Sequence, residues 1–228
     1  MGTDSSPHSS PETPVPRAHA SSLPDELLIR IFSQLNDRDW YSGAACITSI
    51  APVCRRWLPA ATQALYSTLR FDTFNMEYCL RLAQTLLNAP HLRQLVRTLH
   101  IYISSGADAP TVERLLGWTA LVPPEPGFHF LKFNLHSDDS FATVLLARAP
   151  ALRAVREMVL YGATTESLVA IPYRLERLTL ELEIETAPLP LPPLVYLQSL
   201  KNTASHVVFE HALRNLRTLE LMHMDLTV

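Results

Sequence analysis

The stretches "LLNAPHLRQLVRTLHI" from residue 86 and "LLARAPALRAVREMVL" from residue 145 align through Ala-Pro-x-Leu-Arg at a shift of 60 residues. Self-similarity of this kind constrains the fold more than any single motif, because a repeated unit must bury its apolar face against a neighbouring copy. Two units of about 30 residues fit within the shift, and later the spacing shortens, with Leu178, Leu200 and Leu219 recurring roughly every 20 residues. Each unit joins an alternating apolar run to an amphipathic segment. Alternation places successive side chains on opposite faces of a strand, whereas the amphipathic segment has the period of a helix.

Strands are expected at 97–103 (RTLHIYI), 129–135 (HFLKFNL), 156–161 (REMVLY), 177–184 (RLTLELEI) and 217–222 (RTLELM). The helical stretches "MEYCLRLAQTLLNAP" and "DSFATVLLARAP" lie between them, with caps expected at Asn75 and at Asp138 or Asp139. The pattern LxxLxL at Leu175, Leu178 and Leu180, and again at Leu216, Leu219 and Leu221, resembles a degenerate leucine-rich repeat. The asparagine or cysteine that normally follows in that repeat is mostly absent. The resemblance implies an irregular α/β solenoid with parallel strands on an inner face, and such a face is a binding surface. With the periodic leucines turned inward, His100, Tyr102, Lys132, Asn134, Glu181, Glu183 and Glu220 line that face and are the candidate substrate-binding residues. The acidic alternation at Glu181, Glu183 and Glu185 invites a basic ligand, although a solvated strand face has the same pattern. Proline-rich "APLPLPPL" (187–194) reads as a loop between units, and His206 and His211 fall on an expected helix.

The N-terminal part is different in kind. Residues 1–21 form a Ser/Pro-rich leader with almost nothing to bury, so disorder is expected there, and Ser6-Pro7, Ser10-Pro11 and Thr13-Pro14 are steps that proline-directed phosphorylation could use. A helix is expected to follow, with Ser22 as cap, Pro24 in the first turn, and Asp25 and Glu26 at the positive end of the dipole. Leu27, Ile31 and Leu35 make one apolar row and Leu28 and Phe32 another beside it, a stripe wide enough for two neighbours. Two more helices are expected, one ending near Trp57 and presenting Val53, Cys54 and Trp57, the next starting at Pro59 and presenting Ala61, Leu65 and Leu69. Three short helices are marginal alone, so either the rest of the chain or a partner must cover them.

"LPDELLIRIFSQL", Asp39, "VCRRW" and "LYSTLRF" occur in this order, and residues 22–71 resemble the F-box. The stretch "YSGAACITSIAP" makes the interval before Val53 several residues longer than usual in that family. The resemblance implies a three-helix domain that docks on a Skp-type adaptor, through it on a cullin, in an SCF-type ubiquitin ligase for which the chain selects the protein substrate. It carries adaptor binding onto Leu23, Pro24, Leu27, Leu28, Ile31, Phe32, Val53, Cys54, Trp57 and Leu65. Among these, Leu23, Pro24 and Leu28 are expected outside, and Ile31 and Trp57 toward the internal core. The competing readings are a small helical bundle that uses the same stripes as core, and a scaffold that binds proteins outside any ligase. Residues 72–228 are then the repeat region, and the end at "LELMHMDLTV", lacking a polar closing helix, predicts a shortened receptor.

Charge and motifs narrow the function further. A formal net charge of -3 gives no basic footprint for nucleic acid or an anionic membrane, and no apolar run has spanning length. Cys46, Cys54 and Cys79 form no CxxC pair and read as small buried hydrophobes of a cytoplasmic or nuclear protein. Six glycines, with no phosphate loop, HExxH or GxSxG, predict a protein without catalytic, metal or cofactor residues.

Overall fold

A computed structural model of the chain describes residues 23–38, 40–104, 107–135, 140–162, 174–181, 189–190, 199–202, 207–208 and 217–221. The leader, Ser22, Asp39, Asp138, Asp139, Glu183, Glu185, His206 and His211 lie outside these residues. The chain divides into two compact units, 1–62 and 63–228.

In the first unit, helix α1 (Asp25–Arg38) starts where Leu27 and Leu28 N–H groups both donate to the Pro24 carbonyl at 3.1 Å. Asp25 and Glu26 occupy its first turn, as the dipole favours. Helix α2 (Trp40–Ile50) packs against it. The expected single helix up to Trp57 is corrected: α2 stops at Ile50, and Ala51–Val53 and Arg55–Trp57 form two separate 3₁₀ turns. Pro52 accounts for the break, since it has no N–H to continue the helix, and Cys54 between the turns is extended, with φ −141° and ψ 121°. Helix α3 (Leu58–Ser67) begins one residue before Pro59, whose missing donor costs nothing in a first turn. The boundary between the units falls inside α3.

The second unit is built on a seven-stranded sheet, parallel throughout, whose strands follow one another in chain order apart from two short ones that pair separately. The seven are β1 (Thr68–Asp72), β2 (Thr98–Ile103), β3 (Phe130–Leu135), β4 (Glu157–Tyr161), β5 (Arg177–Glu181), β7 (Ser199–Asn202) and β9 (Thr218–Leu221). Strand β6 (Leu189–Pro190) pairs in parallel with β8 (Val207–Val208). That pair corrects two expectations, because Leu189–Pro190 is not loop and Val207–Val208 is not helix. Helices α4 (Met76–Asn88), α5 (Pro90–Arg93), α6 (Ala109–Leu116) and α7 (Ser140–Ala147) lie in the connections, as parallel strands require a crossover between neighbours.

Register explains the repeated leucines. Leu69, Leu99, Leu131, Met158, Leu178, Leu200 and Leu219 stand opposite one another from strand to strand, so the recurrence at 178, 200 and 219 is one column of the sheet. A second column runs through Phe71, Ile101, Phe133, Leu160 and Leu180. Through β5 both columns are buried, in one core with Cys79, Ala83 and Leu86 of α4, Val112 and Leu115 of α6, and Leu146 of α7. Trp118, fully buried in the turn after α6, stacks on Phe71 at 5.8 Å and meets Phe128 edge-on at 6.0 Å.

The repeated Ala-Pro-x-Leu-Arg is the turn that takes the chain from helix to strand. In both copies the leucine N–H donates to the alanine carbonyl at 3.1 Å, Leu92 to Ala89 and Leu152 to Ala149. Arg93 closes the end of α4 by donating Nη1 to the carbonyls of Leu86 and Leu87, at 2.8 Å each. Caps elsewhere follow geometry more than type: Asn75 precedes α4 without a side-chain cap bond, whereas the Asp72 carboxylate accepts from Phe74 N at 2.9 Å and Asp108 accepts from Thr111 N at 3.0 Å. Gly127 is at φ 57°, and a Cβ there would sit 2.7 Å from the Pro124 carbonyl oxygen and 2.8 Å from that of Ala151. Only glycine fits this turn.

Candidate functional site

Two surfaces gather the residues that sequence reasoning singled out, one in each unit. On α1 the two adjacent apolar rows separate. Leu28 and Phe32, followed at the same spacing by Asn36, face inward, with Leu28 3% exposed, while Leu27 and Ile31 face solvent at 47% and 45%. The expected division is therefore inverted at two positions, Leu28 being inside and Ile31 outside. The physical reason is that 28, 32 and 36 form one helical row, and the helix rolls to seat Phe32 against Trp57, edge to face with centroids 6.1 Å apart. Leu28 and Phe32 can serve a partner only by holding the exposed row in place.

The other members of that set lie in the open or half so. Pro24 is exposed and Leu23 half-buried, and Val53 at the end of its 3₁₀ turn is 72% exposed. Cys54, Trp57 and Leu65 are half-buried. Leu58, which sequence reasoning passed over, is 55% exposed at the start of α3. Leu27, Ile31, Val53 and Leu58 are thus four large apolar side chains open to water within one small unit, the kind of exposure that partner proteins cover. An ion pair between Arg56 Nε and Asp25 Oδ1, at 4.0 Å, ties the second 3₁₀ turn to the first turn of α1.

In the second unit, the strand residues that alternate with the buried columns share the opposite face of the sheet. Arg70, His100 and Lys132 stand side by side on β1, β2 and β3, followed by Val159 and Thr179. The next column up is Asp72, Tyr102, Asn134 and Tyr161, and Glu181 continues it by backbone register. Four of the predicted residues, His100, Tyr102, Lys132 and Asn134, are thus brought onto one face of two neighbouring strands. Glu220 pairs with Lys201 at the far end of the first column, remote from them. Arg70, Phe130 and Tyr161 belong to the same surface and were missed. The alternation in "TLRFD" was the available signal for Arg70.

All the described side chains of the two columns are half-buried, and aromatic rings pack among the charges. His100 lies 5.4 Å from the Phe130 ring, Lys132 Nζ sits 4.8 Å over the Tyr161 ring, and Phe74 stacks on Tyr102 at 5.5 Å. Burial, reinforced by the Arg70 and Lys132 charges, pushes the His100 imidazole down to about 4. It is therefore neutral at physiological pH and can both donate and accept a hydrogen bond. The face thus combines cationic, hydrogen-bonding and aromatic groups.

At the opposite ends of the strands an open cleft of about 790 Å³ is lined by Arg153, Arg156, Arg174 and His129 against Glu125 and Glu176. Arg156 faces Glu176 at 3.9 Å. Cys79 is buried and exchanges hydrogen bonds with the Asp72 backbone, Asp72 N–H to Sγ at 3.2 Å and S–H to Asp72 O at 3.3 Å, and burial raises its pKa. Cys46 and Cys54 are half-buried. Among the described residues no group of three or more His, Cys, Asp or Glu is placed to hold a metal, and no helix is long and apolar enough to cross a membrane.

No curated protein matches the chain. The F-box-like family model matches residues 20–72, less than a quarter of the length. The matched segment spans α1, α2, the two 3₁₀ turns, α3 and β1, and includes the exposed row of Leu27 and Ile31. The chain thus carries an F-box-like domain at its N-terminal end, joined to a mixed α/β region on a parallel sheet.

Proposed function

We propose that the chain is the substrate-recognition subunit of an SCF-type cullin-RING ubiquitin ligase. The F-box-like domain binds a Skp-type adaptor, as F-box domains generally do, and through it a cullin; the leucine-rich-repeat-like sheet region binds a protein substrate. The single observation that carries this reading is the unpartnered apolar set Leu27, Ile31, Val53 and Leu58 within the matched segment. A free-standing unit would gain by burying such side chains, at roughly 1.5–3 kcal/mol each. The chain is not itself catalytic in this reading. It raises the local concentration of substrate beside a transferase carried by other subunits, which is where the rate gain comes from. It works in the cytoplasm or nucleus, where such ligases assemble.

Co-purification with a Skp-type adaptor tests the reading. Ile31→Asp with Val53→Asp abolishes capture while leaving the unfolding midpoint of the second unit in place. Undiminished capture by that variant removes the adaptor assignment. An adaptor complex that forms but never recruits a cullin makes the chain a scaffold instead.

A further inference from the structure

The motif Ala-Pro-x-Leu-Arg ends in an arginine that does different work in its two copies. In the first, Arg93 closes α4 by donating to the Leu86 and Leu87 carbonyls. In the second, Arg153 makes no such cap; it is exposed and lines the open cleft at the strand ends. Arg174, also exposed, lines the same cleft from the turn before β5. Neither guanidinium has a hydrogen bond or an ion pair among the described residues. Beside them the backbone fixes three further lining residues. The Arg156 N–H donates to the His129 carbonyl at 3.0 Å and the Glu176 N–H to the Arg156 carbonyl at 2.8 Å, so His129, Arg156 and Glu176 stand side by side just before β3, β4 and β5. Neighbouring strands lie about 4.8 Å apart, which puts these side chains within reach of one ligand. Arg156 is only loosely held, its Nε facing Glu176 Oε1 at 3.9 Å, and its two Nη groups remain as donors.

Charge and donor geometry say what kind of ligand fits. Three arginines against Glu125 and Glu176 leave one fixed positive charge in excess, and a histidine can add a second by gaining a proton near neutral pH. A phosphate monoester carries a matching charge of about −1.5 to −2 at pH 7 and three strong acceptor oxygens. Guanidinium forks bind such oxygens in pairs, whereas a single carboxylate has two oxygens and one charge for three forks. A longer polyphosphate would meet the two glutamates. We propose that this cleft binds a phosphate monoester, with Arg153, Arg156 and Arg174 as forked donors and His129 donating from the strand end. At about 790 Å³ the cleft has room for the carrier as well as for the group itself, and a phosphorylated protein side chain and a small phosphate ester share this chemistry. The site shares no residue with the adaptor surface or with the sheet face, and it stands whether or not the chain serves a ligase.

The test uses the full-length chain and a labelled alanine peptide with one central serine, in three forms: phosphorylated, unmodified, and with glutamate in place of the serine. Glycerol phosphate, followed by phosphorus NMR line broadening, is the small-ester arm. The phosphorylated peptide, the small ester or both are expected to bind saturably, with affinity falling as salt rises. By fluorescence anisotropy a bound phosphopeptide is about tenfold or more tighter than the other two forms. A phosphopeptide about tenfold or more tighter than glycerol phosphate identifies a protein-borne group as the ligand, and comparable or tighter binding of glycerol phosphate identifies the phosphate ester alone. Arg153→Gln with Arg174→Gln weakens binding about tenfold or more while the thermal midpoint stays level, since neither side chain holds any other part of the fold. Arg153→Lys with Arg174→Lys recovers only part of the loss, because the charge returns without the fork. Arg81→Gln, on α4 away from the cleft, leaves binding unchanged. In the unaltered protein the ring signals of His129 shift when the ligand is added. Failure of both phosphate probes to bind, equal affinity for the phosphorylated and glutamate peptides with no binding of glycerol phosphate, full binding by the double glutamine variant, or unmoved His129 signals overturns the assignment.

Discussion

The two units bury apolar side chains in very different proportion. Among the described residues, the first buries only three large ones, Leu28, Phe32 and Ile47, and leaves Leu27, Ile31, Val53 and Leu58 in the open. The second seals two columns of its sheet and the facing helices into one core and puts half-buried polar and aromatic groups on the outer face. The second unit also leaves Phe74, Leu121 and Val144 in the open, but around a far larger core. Large apolar side chains left in the open beside so small a core are a sign of a surface kept for binding.

The contrast can be broken most forcefully at Trp118, clamped between Phe71 and Phe128. Trp118→Ala is expected to cost about 3–5 kcal/mol in urea unfolding, and a loss below about 1 kcal/mol would mean the sealed core is not what holds the second unit. On α1 the two rows should respond differently: Leu28→Ala costs about 2–4 kcal/mol, whereas Ile31→Ala changes stability by less than about 1 kcal/mol yet weakens adaptor capture. Equal stability losses would erase the distinction between inner and outer row.

A pH series sharpens the second half of the comparison. His100 titrates near 4 in the folded chain and near 6.5 when unfolded, so between those values the unfolded state binds more protons. Its contribution to stability is present above pH 6.5 and is lost as the pH falls toward 4. His100→Gln should flatten that part of the stability profile, measured by urea unfolding at stepped pH, and an unchanged slope would show that the imidazole is not held neutral. The smallest effect belongs to the exposed pair Arg81 and Glu77 on α4, where Arg81→Gln costs only about 0.3–0.5 kcal/mol and less in high salt.

The sheet was largely legible in the amino-acid order because its spacing is set by register: Leu178, Leu200 and Leu219 must align for their units to stack. Five strands followed from alternation, and so did the outward direction of His100 and Lys132. Strand β1 was hidden because "LYSTLRF" closes the F-box motif, and with it Arg70 was lost from the candidate surface. On α1 the sequence could not choose between rows, since 27, 31 and 28, 32 are equally apolar; Asn36, which argues for an outer row, is buried on the inner one. Trp118 sits in a 3₁₀ turn with no periodicity to announce it. Periodic patterns locate elements, while the choice between two apolar faces depends on packing partners that no local window contains.

Because every strand of the main sheet lies next to strands from the adjoining units of the chain, damage travels slowly through it. A defect in the turn at Gly127 loosens β3 and its neighbours β2 and β4 before it reaches β1 or β9. Amide hydrogen exchange should then be graded along the sheet, slowest in the middle strands and faster at both edges, with no single opening event releasing all seven at once. A ligand held across neighbouring strands would slow exchange in those strands first, so the protection pattern reports which strands it touches.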